Sequence, residues 1–325
     1  CFFYGGYIYL WGDDSSRMIA GPVVFFLGSI CIALFATAVT IIRQIIHTYN
    51  PFAKYFLPIL GYSVALATFI CGIAIFKDTE VAEFFVAGHI VCGLGLITGC
   101  VATAATVSTR FSLIPENSTS PSREINAKGF TQQQELIFES IAAFFAALAW
   151  AWTIVLLAGG STPHFVAGSV MGGIACICTS LIALVASIVR QERNVYADRE
   201  KKIWPRLVLI MGTIATIWGL IVIFVYYGQT RDFVGFVLIG LGLVCYSISS
   251  KVILLVKIWK AEFPLAARIP LIPVLTALIC LFLFEEAVYK EKFFVPARVI
   301  VGLGAICFTL FSIVSILESG AKKSK

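Results

Sequence analysis

Five ionisable side chains lie within or at the ends of long apolar stretches: His89, Lys251, Glu285, Glu286 and Arg298. Histidine titrates near neutral pH, which makes His89 a candidate proton sensor. Arg298 is suited to holding an anion or a carboxylate. Lys251 is the basic residue deepest inside an apolar run, about two turns from its end. Glu285 and Glu286 are consecutive, and consecutive helical residues do not share a face, so no paired general acid and base is expected there. Glu139 stands in a first helical turn, where a carboxylate answers the helix dipole. Ionisable groups in apolar spans are functional candidates, yet most of these sit near enough to an end for their tips to reach water. A water-facing interfacial role and a proton-sensing vestibule are both open readings of His89 and Arg298.

Other chemistry is missing from the sequence. The pairs Gly93-x-Gly95, Gly240-x-Gly242 and Gly302-x-Gly304 lack a preceding strand and are no dinucleotide fingerprint. No Gly-Lys-Ser/Thr phosphate loop occurs, and His47, His89 and His164 fall in separate segments without metal-ligand spacing. No nucleophile has a base beside it. Nine of the ten cysteines lie in apolar runs, where they act as small hydrophobes. The expectation is a non-enzymatic protein with no cofactor and no metal.

The elements that must position these groups follow from composition. The chain has 325 residues, 59% hydrophobic and 13% charged, with mean hydropathy +0.94; an ordinary soluble domain carries about 25% charge. Apolar runs near 19–42, 55–76, 85–108, 137–158, 165–189, 206–227, 233–257, 270–288 and 295–317 approach or exceed the roughly 20 residues that span a bilayer as a helix. They are about twice the length of a barrel strand and lack strict alternation, which excludes a β-barrel. The run 1–12 is too short to span and begins at Cys1 rather than Met, so it reads as a truncated first helix. The fold expected is all-α: a single polytopic membrane domain, 1–325, with nine full helices and a partial one.

Eighteen of the 24 Lys and Arg fall in the connections after the second, fourth, sixth and eighth spans and in the C-terminal tail. By the positive-inside bias that side is cytoplasmic, with the C-terminus inside. The net charge of +6 is thus a topology signal, not a nucleic-acid surface. The longest connection, 111–135, is polar and expected to be a flexible cytoplasmic loop.

Five segments align with one another: IAGPVVFFLGSIC (19–31), VAGHIVCGLGLIT (86–98), VAGSVMGGIACIC (166–178), FVGFVLIGLGLVC (233–245) and VPARVIVGLGAIC (295–307). Each opens an even-numbered span, so the chain reads as five tandem two-helix hairpins, approximately 1–50, 51–110, 136–191, 204–260 and 268–318, all facing the same way. Five such units either close a ring or stack irregularly. Small residues recur at helical spacing, with Gly88, Gly95 and Gly99 in one span and Gly168 and Gly172 in another; Gly242 and Gly304 belong to the same pattern. Such positions let helix backbones approach where no hydrophobic effect drives them together. Helix packing is the favoured reading, and a narrow pore lined by the stripes is the alternative.

The segments LFATAVTIIRQIIHTYN (34–50), FVAGHIVCGLGLI (85–97), ARIPLIPVL (267–275) and FVPARVIVGLGAICFTLFSIVSILESG (294–320) resemble the YhiM-type bacterial inner-membrane proteins. The resemblance runs from about residue 19 to the C-terminus. It implies a ten-helix inner-membrane protein linked to acid-stress survival, with no established substrate or catalytic residues. It also implies Ala-Gly-His at several repeat openings; this chain keeps only His89, with Pro22 and Ser169 in related places, which argues against a ring of proton-sensing histidines. The function expected is support of acid tolerance by moving a small solute or ion, or by limiting proton entry. The alternative is a membrane scaffold acting through a protein partner.

Overall fold

A computed structural model describes residues 1–12, 14–45, 51–77, 81–110, 132–192, 197–226, 233–259, 267–288 and 294–323. The expected loop 111–135 lies almost wholly outside the described residues. Within them are ten helices and no strand: α1 (Phe2–Trp11), α2 (Asp14–Ile45), α3 (Pro51–Phe76), α4 (Ala82–Arg110), α5 (Gln132–Ala158), α6 (Thr162–Glu192), α7 (Glu200–Val225), α8 (Phe233–Trp259), α9 (Leu271–Val288) and α10 (Phe294–Lys323). Helices are the outcome that apolar runs of this length require, because backbone groups in lipid must bond within their own segment.

Among the described residues eight helices are long and apolar enough to cross a membrane. The ninth run expected to span, 270–288, forms the 18-residue helix α9. Its apolar part among the described side chains is Leu271–Phe284. The side chains of Glu285 and Glu286 lie outside the described residues.

The even-numbered helices close on themselves. Helix α2 packs on α4, α4 on α6, α6 on α8, α8 on α10, and α10 back on α2. The odd-numbered helices stand outside this ring, each against the even helix that follows it; α3, α5, α7 and α9 also touch the even helix before them. Each of those four therefore fills a groove between two ring members. Burial follows: 94% of the apolar stretch of α4 is buried, against 22% of that of α3. The outer helices turn Phe144, Ile154, Val155, Phe224 and Val225 outward, an apolar surface suited to lipid.

Partners within a hairpin run antiparallel. Gly61 of α3 faces Ala102 of α4, Ala65 and Phe69 face Gly95, and Gly72 faces Gly88 and Cys92. The same crossing order joins α7 to α8, with Gly212 against Cys245, Thr216 against Gly242 and Gly219 against Gly235. Ring helices α4 and α6 run parallel, with Phe85 beside His164 and, further along both, Gly93 beside Ile174. Hydroxyl bonds across helices add to the packing: Tyr62 with Thr103 at 2.9 Å, Ser29 with Thr98 at 3.1 Å and Ser247 with Thr276 at 2.6 Å. The α5–α6 connection is tight, and its Gly160 has φ 71°, a left-handed conformation that favours glycine.

A Cβ on Gly72 would lie 2.6 Å from the Cys92 backbone nitrogen and 2.9 Å from the Gly88 carbonyl, whereas one on Gly6 would meet nothing within 4 Å. Gly72→Ala is therefore expected to lower stability by about 1–3 kcal/mol, the range for overpacking, and Gly6→Ala to change it by less than about 0.5 kcal/mol. Thermal unfolding in detergent measures both.

Candidate functional site: an axial cavity

All five ring helices contribute to one cavity on the ring's axis. Its lining side chains recur at steps of three and four: Leu27, Ile30, Leu34 and Thr37 on α2; Leu94, Ile97, Val101 and Ala104 on α4; Leu241, Val244, Ile248 and Lys251 on α8. That is the spacing of a coiled-coil seam, which keeps one stripe of each helix facing a common axis. Helices α6 and α10 supply Ile177, Leu181, Leu184, Leu303, Ile306 and Leu310.

The cavity has room for about 30 Å³. One water needs roughly 10–15 Å³ by this measure and two to four polar partners. The wall offers two polar side chains, Thr37 and Lys251, and Thr37 already donates its hydroxyl hydrogen to the Ala33 carbonyl at 3.0 Å. Walls of leucine and isoleucine with so little polar help keep such a space dry.

Lys251 is 3% exposed. It lines the cavity toward the end where the ring helices finish, and it has no hydrogen-bond or ion-pair partner among the described residues.

His89 does not face the axis. It is buried between α4 and the outer helices α3 and α5, with its ring 4.5 Å from Phe76, 4.2 Å from Phe85 and 5.9 Å from Trp152. Its Nδ1 lies 2.7 Å from the Phe85 carbonyl. Phe85 also touches His164 at 4.6 Å. Ser169, at the related place on α6, is fully buried with its hydroxyl unpartnered among the described residues. Arg298 is half-buried near the start of α10, which is not a ring neighbour of α4. The structure thus holds His89, Arg298 and Lys251 apart.

The small-residue stripes face outward. Gly88 meets Phe76 and Gly72, Gly95 meets Phe69 and Ala65, Gly99 meets Phe145, Gly168 meets Leu156 and Leu157, and Gly172 meets Trp218 and Thr153. Gly242 meets Thr216 and Gly212, and Gly304 meets Cys280. All these contacts are to outer helices, none to the axis.

A charged cluster that the sequence reading missed joins α5, α6 and α7. Arg190 pairs with Glu135, with Glu139 at 2.7 Å and with Glu200 at 3.0 Å. Its one signal in the sequence was the Glu135–Glu139 pair, four residues apart on one face. The cluster lies on the perimeter, at the end where α6 finishes.

A family model described as "Protein of unknown function (DUF2776)" matches residues 1–322. The chain belongs to this family. It is similar to the Inner membrane protein YhiM of Escherichia coli (strain K12), 42% identical over 330 residues that cover 99% of this chain and 94% of that protein. No solved structure matches it. Membership of DUF2776 and the eight long apolar helices together make this a multi-pass inner-membrane protein.

In this DUF2776 chain Arg190 joins three helices, so its removal leaves three carboxylates facing one another. Arg190→Met is expected to destabilise by about 2–3 kcal/mol, since hydrogen bonds to charged groups and an abandoned charge both count. Adding Glu139→Gln should recover part of the loss. A double-mutant cycle on the unfolding midpoint separates the two terms.

Proposed function

We propose that the chain is a single-polypeptide, five-sided pathway through the inner membrane, shut at rest, that supports acid-stress survival by passing a small solute or ion while limiting proton entry. The observation that carries this is the axial cavity lined by all five ring helices. In this reading the chain is five tandem hairpins, with the tail and the basic connections in the cytoplasm. The aligned segments support it. Ile30, Ile97, Ile177, Val244 and Ile306 line the cavity and occupy one column of the alignment; Leu34, Val101, Leu181, Ile248 and Leu310, each four residues further on, line it too. The cavity wall is then a stack of five-membered apolar layers.

Stacked apolar layers act as a gate by dewetting. A proton moves along hydrogen-bonded water, so a dry axis passes none. Acid tolerance and transport fit one device on this reading: the layers keep the path dry at rest, and a wetted state admits the substrate. Neither role calls for bond chemistry, and none of the side chains on the axis supplies a nucleophile with its base.

The seal also favours a second reading. A dry, close-packed centre suits a membrane scaffold that works through a protein partner. Stoichiometric copurification of such a partner from native membrane, together with an absence of flux, would favour the scaffold.

Two measurements test the pathway. Proteoliposomes of the full chain should change ion, proton or solute flux between pH 4 and 7; no change in any of them sinks the transport reading. Leu181→Ser should raise flux over Leu181→Ala by about tenfold, the factor for a barrier lowered by about 1.4 kcal/mol. Both variants open the same space, and only serine helps water enter it. For orientation, a fluorescent protein fused after Lys325 should light inside the cell and an alkaline phosphatase fused there should stay inactive; the reverse pattern overturns the topology.

A further inference from the structure

Among the described residues Lys251 is the one charged side chain on the axial cavity, and it is 3% exposed with no partner there. An ammonium in apolar surroundings is costly unless it is paired. Among the described residues no hydrogen bond or ion pair joins Lys251 to a neighbour. Helix α8 ends at Trp259, roughly two turns beyond Lys251, and a helix dipole acts on side chains only within the last turn. The carboxylates Glu135, Glu139 and Glu200 are drawn to Arg190 on the perimeter, and no acidic side chain among the described residues lines the cavity.

An ammonium offers three hydrogens, and an anion seated beside it would remove the cost of leaving it alone. The space of about 30 Å³ admits a body of about two or three waters' size, which suits a halide and excludes a bulky organic acid. We infer that the axial cavity is a site for a small monovalent anion held by Lys251 Nζ, and that Lys251 selects anions over cations along the axis. A fixed positive charge on a narrow path repels hydronium as well as metal cations, so the same residue adds to the barrier against protons. The selectivity half of this inference rests on the pathway reading; the binding half stands on the cavity and the buried charge.

The probe is bromide, on the full-length chain. Crystals soaked in bromide should show one anomalous peak on the axis, within hydrogen-bond reach of Lys251 Nζ. It should be kept in Lys251→Arg and lost in Lys251→Met, a variant that replaces a buried charge with an apolar chain of similar length. No axial peak in the native chain overturns the inference, and a peak that persists in Lys251→Met marks an adventitious ion only and overturns it too. In liposomes carrying Leu181→Ser, the bromide-to-potassium permeability ratio should fall at least tenfold on adding Lys251→Met and invert on adding Lys251→Glu. A ratio unmoved by both overturns the selectivity half. An axial bromide peak with no flux in any variant supports the site and overturns the pathway reading together with the selectivity.

Discussion

The ring is held by one contact made four times, a branched side chain seated on the glycine of the helix beside it. Ile174 lies against Gly93, Leu241 against Gly173, Leu303 against Gly240 and Leu27 against Gly302. In lipid the helices gain nothing from hiding apolar surface, since the tails are as apolar as leucine; what holds them is the closeness of packing. A Cβ on Gly240 would stand 2.7 Å from Leu303 Cδ1, and one on Gly173 would stand 2.5 Å from Leu241 Cδ1. Each seat therefore depends on the missing methyl. The α2–α4 joint has Phe26 at the corresponding place, and the hydroxyl bond between Ser29 and Thr98 spans it instead.

From this contact the rest of each ring helix is assigned. Large branched residues point to the axis, glycine and its branched guest meet the neighbours, and small residues turn outward to the odd helices. A pore lined with glycines would need the reverse order. Because the bulk is central, the axis is dry and narrow, and because the small residues face out, α3, α5 and α7 can sink into the grooves. The thiols take part as small groups: the ten cysteines are free, and seven of them are buried.

Much of the architecture was readable from the sequence, for a physical reason. Spanning helices write their length directly as apolar runs, and a recurring contact writes itself as an aligned column. Lys251 stood out as the deepest base because burial of a charge in an apolar run is visible without coordinates. The direction of the Gly88–Gly95–Gly99 stripe was not visible, since spacing places residues on one face without saying what that face meets. His89 was read as a rim residue; Phe76 and Trp152, which enclose it, come from two other helices. The partners of Arg190 were equally hidden, because Glu135 and Glu200 arrive from helices on either side.

The ring is not evenly supported, and this bears on how a shut axis would open on the pathway reading. Helices α4 and α6 have 94% and 89% of their apolar stretches buried, whereas α2 and α10 have 61% and 56%. Phe35 and Phe308 are exposed on these two helices. Helix α10 packs on one outer helix, α9, while α4 and α6 each pack on two. The joint between these two less buried members, α2 and α10, is the seat of Leu27 on Gly302. Turning either helix would withdraw Leu27 or Leu303 from the axial stack and leave the layers on α4 and α6 in place. An opening of that kind is one-sided. It would widen the axis beside α8, the ring neighbour of α10 that carries Lys251, so that the first water to enter would meet the buried charge.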